Sequence, residues 1–146
     1  MKDSSLLEAV LVERVSDAVA AGTTAVNSDS VDLGPGQGVL FITAMGTVTT
    51  APTVKVQTSS DDSVWNDLEG TEDDTIVDGD DDLLLAVDVK RPLERYVRLV
   101  MTRTAGNVVV DSIVAIVYNV QEVPTTQGAD VAGEAKSFLA PAEGTA

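Results

Sequence analysis

Short apolar runs, separated by turn-forming residues, predict β-strands through the middle of this chain. The clearest run is residues 53–59, in which Val54 and Val56 alternate with the polar Lys55 and Gln57. A two-residue period places one side of a strand against a core and the other side in solvent. This segment therefore predicts a half-buried strand.

Seven further segments show a comparable pattern. They are residues 31–33, 39–45, 64–68, 76–77, 83–89, 96–104 and 108–120. About eight short strands separated by turns are typical of an antiparallel sandwich or jelly roll. We therefore predict an all-β fold, a single jelly-roll-like β-sandwich.

Two of these segments are apolar on both faces, which predicts central strands buried on both sides. They are residues 39–45 and 108–120. Strict alternation along the second segment gives two faces. One holds Val108, Val110, Val114, Ile116 and Tyr118, and the other holds Val109, Ile113, Ala115 and Val117.

The pattern weakens at both ends and divides the chain into three parts. Residues 1–30 are predicted to be an N-terminal arm and linker, residues 31–121 the sandwich, and residues 122–146 an extended C-terminal tail. The apolar patch at residues 9–12 fits either a helical turn or a strand, in an arm that packs on the sandwich edge or on a neighbour. The tail is rich in Ala, Gly and Pro, and such tails either stay free in solvent or lie along a partner and order on binding.

Composition agrees with the strand pattern and narrows the chemistry. Val and Thr are frequent, as in strands, and aromatic residues make up only 3% of the chain. The chain contains no Cys and no His. Thiolate and imidazole zinc sites, disulfides and the usual Ser-His or Cys-His nucleophiles are therefore excluded. Catalysis by a pair of carboxylates, as in glycoside hydrolysis, remains possible, but the sequence marks no particular pair of acids beside aromatic residues that could stack on a sugar. We therefore expect that this protein is not an enzyme and binds no cofactor.

The net charge limits the possible partners. It is −15 at pH 7, with a pI near 4.1. So acidic a chain repels nucleic-acid phosphates and anionic lipid surfaces, so we expect neither as a partner. The sequence shows no signal-peptide pattern and no apolar run long enough to span a bilayer, so we expect a soluble protein.

Acidic residues concentrate in one stretch. Residues 61–82 contain eleven Asp and Glu and no Lys or Arg. Asp78, Asp80 and Asp82 are candidate calcium ligands, because hard cations prefer carboxylate oxygens. However, the EF-hand pattern fails, since Leu83 stands at the position of its glycine. Solvated turns are the favoured interpretation.

Three further residues, Trp65, Arg95 and Arg98, have two interpretations each. Trp65 either caps the sandwich core or stacks on a ligand, and the structural role is the more common one for a single Trp on a strand. Arg95 and Arg98 either pair with carboxylates of a neighbouring subunit or are solvated charges. The candidate interface residues are Leu11, Val12, Arg95, Arg98, Phe138 and Leu139.

Three groups of segments together resemble the small virion proteins of tailed phages, including capsid decoration (cement) proteins. They are Val31-Asp32-Leu33-Gly34 with Gly38-Val39-Leu40-Phe41; residues 54–62 with Val64-Trp65-Asn66-Asp67-Leu68; and Val89-Lys90-Arg91-Pro92 with residues 95–100 and 111–116. The likeness covers roughly residues 31–120. Similar hairpins and strands also occur in galactose-binding-like jelly rolls.

The resemblance implies a β-sandwich, commonly trimeric, that is made in the host cytoplasm and clamps adjacent capsomers on the capsid exterior. It implies that the partners are the major capsid protein and further copies of this chain, and it brings no catalytic residues. Both terminal segments are expected to supply contacts. The alternatives are another virion component, such as a tail or head-fibre base, and a jelly-roll carbohydrate-binding module for adhesion. The scarcity of aromatic residues argues against the last of these.

Overall fold

Two antiparallel β-sheets make up the described part of the chain. The computed structural model describes residues 5–34, 37–103, 108–120 and 126–132. Within them lie one short helix and nine strands: α1 (Leu6–Ala9), β1 (Leu11–Ser16), β2 (Val26–Asn27), β3 (Val31–Asp32), β4 (Gly38–Val48), β5 (Thr53–Ser59), β6 (Asn66–Asp67), β7 (Leu84–Lys90), β8 (Tyr96–Thr102) and β9 (Val108–Tyr118). The prediction of an all-β, sandwich-like fold is confirmed.

The first sheet, here called sheet I, has the strand order β1-β9-β4-β7. Its two long central strands, β4 and β9, pair from Gly38↔Tyr118 to Val48↔Val108. The outer strands β1 and β7 pair with β9 and β4 respectively. Sheet II has the order β2-β8-β5-β6, and β3 also pairs with β8.

The core consists of the side chains that the two sheets turn towards each other. On β4 these include Val39 and Phe41, and on β8 Val97 and Leu99, all of them fully buried. Alternate residues of each strand face inward, and Val and Ile, whose branched side chains suit a pleated surface, fill most of the inward positions. The strand alternation in residues 53–59 is confirmed, since Val54 and Val56 are buried on β5.

The predicted faces of residues 108–120 are partly wrong because β9 contains a bulge. Ala44 pairs with Ser112, but the next residue of β4, Met45, pairs with Val110. Asp111 is therefore an extra residue, and it reverses the alternation along β9. The buried residues are Val108, Val110, Ile113, Ala115 and Val117.

Strand pairing begins earlier in the chain than the predicted sandwich boundary at residue 31. β1 forms an edge of sheet I, and Val15 belongs to the core. β2 pairs with β8 in sheet II. Directly after β2, the Ser28 N–H donates to the Leu99 carbonyl of sheet II, and the Asp29 N–H donates to the Val15 carbonyl of sheet I. Residues that the sequence predicts to be an arm and a linker thus contribute strands and connect the two sheets.

Two predicted strands differ from the structure. The predicted strand at residues 64–68 is reduced to β6, two exposed residues that pair with the end of β5. Residues 76–77 form no strand, although Ile76 is buried in the core. One apolar side chain can anchor a loop without strand pairing, and a two-residue segment cannot distinguish the two cases.

Candidate protein-interaction surfaces

The outer face of sheet I is apolar over most of its width. Its rows follow the strand register, with Val12, Ile116 and Leu40 in one row. The next row contains Val114, Ile42 and Ala86, and Ala44 and Leu84 follow. All of these side chains are partly or fully exposed, and Leu84 is 71% exposed. We call this surface the apolar face. Contiguous apolar patches of this kind mark interaction sites.

The apolar face accounts for the double-sided apolar pattern of β4 and β9. The sequence predicted that both faces of these strands are buried. In the described part of the chain, only the inward face is fully buried, and the outward residues remain half-buried. An apolar pattern reports which residues favour burial, but it does not say whether this chain or a partner covers them.

One end of the apolar face is closed by Tyr118. Its ring lies across Gly38, where a Cβ atom would overlap the ring carbons. The Tyr118 hydroxyl donates to Asp88 Oδ1 on β7 at 2.6 Å. Burial, together with this hydrogen bond, raises the pKa of Tyr118 to about 12. The residue thus links β9 to β7 across β4.

The outer face of sheet II is polar and internally bonded. Arg98 donates from Nε and Nη2 to Gln57 Oε1, at 2.9 and 2.6 Å. Gln57 and Lys55 donate to the two carboxylate oxygens of Asp67, each at 2.8 Å. The hydrogen bond from Lys55, and to a smaller extent that from Gln57, lowers the pKa of Asp67. Partial burial lowers the pKa of Arg98.

Trp65 belongs to this polar face and not to the core. Its ring is half-buried, and the Arg98 guanidinium lies 4.3 Å from the ring centroid. The interpretation of Trp65 as a cap on the core is therefore wrong. Asp67 pairs with Gln57 of β5, and both face outward. Trp65 lies two residues before Asp67, so the two-residue period of a strand places it on the same outward side.

Arg95 and Arg98 both have partners within the chain. Arg95 forms a two-pronged pair with Asp32, with Nε–Oδ1 at 2.8 Å and Nη2–Oδ2 at 2.6 Å. Its hydrogen bond lowers the pKa of Asp32 and raises that of Arg95. Both partners of this pair are more than 40% exposed, so it lies at the surface. A contact of Arg95 or Arg98 with a neighbouring subunit stays a prediction.

The Asp side chains of the turn at residues 78–82 accept hydrogen bonds from backbone N–H groups, both nearby and at the end of β4. Asp81 Oδ1 accepts from the Val48 N–H at 2.6 Å, Asp78 Oδ1 from Ala51, and Asp80 Oδ2 from Val77. Asp82 adopts a left-handed φ of 57°. Among the residues that the structure describes, no group of three acidic side chains is arranged to hold a metal ion. Asp78, Asp80 and Asp82 therefore behave as turn residues, and the candidate calcium ligands do not converge.

Of the other predicted interface residues, two lie on β1. Val12 faces outward on the apolar face, whereas Leu11 packs against the core. The position of Leu11 follows from its pairing with the buried Val117. Phe138 and Leu139 lie outside the described residues.

Gln127 was not singled out in the sequence, yet it bonds the backbone at the start of β1 and just before it. Its side-chain oxygen accepts from the Val12 N–H at 2.9 Å, and its amide nitrogen donates to the carbonyls of Leu7 and Val10 at 3.0 and 2.7 Å. A side-chain amide carries the same donor and acceptor as a backbone peptide, so it can stand in for a neighbouring strand. Nothing in the sequence around Gln127 signals this role.

Comparison with known proteins shows a likeness of fold. The structure is similar to the crystal structure of the PBSX exported protein XepA, with a TM-score of 0.53 and 15% sequence identity. The likeness covers 94% of this chain and 47% of XepA, so the chain spans about half the length of that protein. No family model matches the sequence. No curated protein matches it either. Among the described residues, no helix is long and apolar enough to cross a membrane.

Proposed function

We propose that this chain is a structural virion protein that binds the outside of a phage capsid as a homo-oligomer, with a trimer expected, and catalyses no reaction. The observation that carries the proposal is the apolar face of sheet I, whose half-exposed Val, Ile and Leu side chains favour burial against another protein. The fold likeness to XepA, a phage protein, supports a phage-related role.

The charge distribution supports proteins as the partners. The apolar face carries a mixed-charge margin, with Arg14 on β1 at one side and Asp88 and Lys90 on β7 at the other. An apolar centre with a charged rim is the usual anatomy of a protein interface. A net charge of −15 opposes direct contact with nucleic acid or anionic lipid.

The test is co-sedimentation with capsids of the encoding phage, combined with light scattering for the oligomeric state. Ile42→Lys places a charge at the centre of the apolar face and is expected to reduce capsid binding by about tenfold or more. Thr47→Lys, at an exposed position on the same strand, is the matched control and is expected to bind normally. Unchanged binding by Ile42→Lys, or absence of binding by the unaltered protein, contradicts the proposal.

Point variants are preferable to deletion of the N-terminal segment. Removing residues 1–14 would take away most of β1 and expose the edge of β9. Loss of capsid binding by such a deletion would then report damage to sheet I and not the loss of a contact.

The carbohydrate-binding alternative gains one observation from the structure, because Trp65 lies half-exposed on the outer face of sheet II. Aromatic rings stack on sugars through their flat faces, and Arg98 occupies one face of this ring. A glycan-array signal that is lost in folded Trp65→Ala would favour this function. The absence of any glycan signal in the unaltered protein would remove it.

A further inference from the structure

The outer edge of β7 has the features of a site for strand addition. Among the described strands, β7 lies at an edge of sheet I and pairs with β4 alone. Its seven residues keep one register from Gly38↔Lys90 to Ala44↔Leu84, without a bulge. The opposite edge, β1, has a register shift, and its Val12 N–H is bonded by the Gln127 side chain. Natural edges are usually protected by bulges, prolines or covering segments.

The hydrogen bonds at the two ends of the β4–β7 pair show which backbone groups of β7 point outward. The Met45 N–H donates to the Leu83 carbonyl at 3.0 Å, and the Arg91 N–H donates to the Gln37 carbonyl at 2.8 Å. Hydrogen-bonded pairs alternate with non-bonded pairs along an antiparallel ladder. Leu84, Ala86, Asp88 and Lys90 therefore direct their N–H and C=O groups away from β4, and no hydrogen bond from another described residue reaches them.

A groove lies beside this edge. It measures about 430 Å³ and runs between residues 86–90 and residues 70–73 of the loop after β6. On the β7 side, Val87 and Val89 turn their side chains inward, towards the core. On the opposite side lie Glu72 and Asp73. The groove thus has a mixed lining on the β7 side, where Asp88 and Lys90 accompany the two valines, and acidic groups on the other side.

This combination indicates the chemistry of the occupant. A strand added to β7 alternates its side chains between the groove and the outer face of sheet I. Lys or Arg suits the groove, because the stem covers Val87 and Val89 while the charged end reaches the Glu72 carboxylate. Val, Ile or Leu suits the other side, beside Leu84 and Ala86 of the apolar face.

We propose that β7 receives an extended segment of a partner protein, in which Lys or Arg alternates with apolar residues, as an added fifth strand of sheet I. Backbone hydrogen bonds to Ala86 and its alternate neighbours supply the pairing, and the groove selects the basic side chains. The proposal rests on the protein-binding role proposed above and gives it a specific site. A second copy of this chain fits less well, because two-fold pairing of β7 brings the acidic loops of both copies together.

The test is fluorescence-polarisation binding of a labelled peptide of about eight residues that alternates Lys and Val. Ala86→Pro removes an N–H that points away from β4, and proline is tolerated at such edge positions. It is expected to weaken binding by about tenfold or more, as is N-methylation of alternate peptide nitrogens, which leaves the protein unaltered. Glu72→Lys is expected to weaken binding, and a Glu-Val peptide is expected not to bind.

Three results would overturn the proposal. One is failure of the Lys-Val peptide to bind. Another is equal affinity for the N-methylated peptide or for Ala86→Pro, which would show attraction to acidic surface without strand pairing. The last concerns Ala86→Cys, a single cysteine in a chain that has none. Its oxidation to a disulfide dimer would show a second copy on the edge.

The two proposals fail separately. Capsid binding that depends on Ile42, together with no peptide binding, overturns strand addition alone. Peptide binding that depends on Ala86, without capsid binding, supports strand addition and removes the capsid role.

Discussion

Thr43 is a polar residue at an inward position of β4, between the buried Phe41 and Met45. It is fully buried, and its hydroxyl has no hydrogen-bond partner among the described residues. A buried hydroxyl without a partner loses its hydration without compensation. The β-branched shape of Thr suits the strand, so its shape and its polarity act in opposite directions here.

We expect Thr43→Val to raise the free energy of unfolding by about 1 kcal/mol, because Val keeps the shape and removes the unpaired hydroxyl. Urea denaturation followed by circular dichroism measures the difference. Thr47→Val, at an exposed position of the same strand, is the control and should change stability little. A less stable Thr43→Val protein would show that the hydroxyl has a partner in solution.

Arg103 illustrates how a charged residue can serve the interior. It is one of nine basic residues in the chain, yet it is only 6% exposed. Its guanidinium donates to the carbonyls of Thr24, Ala20 and Val108 at 2.6, 2.7 and 2.8 Å. It thereby holds the loop before β2 against the start of β9.

We expect Arg103→Leu to lower the free energy of unfolding by about 3 kcal/mol or more, since it leaves three carbonyls without their donor. Arg95→Leu is the matched control. It breaks an exposed, solvent-screened ion pair and should lower the free energy of unfolding far less than Arg103→Leu does. Equal losses in the two variants, measured by chemical denaturation, would contradict the structural role of Arg103.

At the scale of elements, the central strands of sheet I are joined through side chains as well as through their ladder. Gly38 is needed on β4 because the Tyr118 ring occupies the space above it. The ring reaches over this glycine to Asp88 on β7. A glycine that weakens a strand is here covered by a cross-strand aromatic residue.

We expect Gly38→Ala to displace the Tyr118 ring, break its bond to Asp88 and lower stability by about 1 kcal/mol. The pKa of Tyr118 should then fall from about 12 towards its ordinary value. Ultraviolet titration of tyrosinate, in a Tyr96→Phe background so that Tyr118 titrates alone, measures the shift. Asp88→Asn should lower the pKa without the steric effect, and an unchanged pKa in both variants would contradict the contact.

At the scale of the whole molecule, the carboxylates act in opposite directions on stability. Hydrogen bonds from Arg95, Val64, Lys55 and Thr75 lower the pKa values of Asp32, Asp61, Asp67 and Asp73 respectively. Burial raises the pKa of the half-buried Glu13, and repulsion from Asp130 and Asp32 adds a smaller increase.

The four Asp residues with lowered pKa values predict that the protein loses stability in acid. A carboxylate whose pKa is lower in the folded state stabilises the fold above its unfolded value, and this contribution disappears as pH falls through the folded value. Melting temperatures should therefore decrease below about pH 4, near the ordinary Asp pKa. A melting temperature that stays constant from about pH 4 to pH 2.5 would show that these hydrogen bonds contribute nothing.

The raised pKa of Glu13 predicts the opposite dependence of stability on pH. Its raised pKa means that its contribution is present in acid and is lost as pH rises through the folded value. Glu13→Gln should therefore raise the melting temperature at pH 7, and the gain should shrink near pH 4. Glu94→Gln removes an exposed carboxylate and controls for net charge. Equal gains in both variants would mean that general repulsion, and not the site of Glu13, is responsible.

The sequence by itself determined the class of fold, because alternation and β-branched residues are local properties of a strand. It located β5, β7 and β8 within a few residues, and it located the turns rich in Asp and Gly. It also identified the apolar residues of β4 and β9. These features depend on neighbours along the chain, so a one-dimensional pattern carries them.

Only the tertiary structure decided which surfaces remain open and which polar residues pair. The bulge at Asp111 reverses the faces of β9, and β1 joins sheet I although its pattern is ambiguous. Gln127 bonds the backbone at one edge of that sheet, while no other described strand pairs with the edge of β7. Trp65 and Arg98, distant in sequence, meet on sheet II. Each of these outcomes depends on contacts between residues far apart in the chain, which no local pattern encodes.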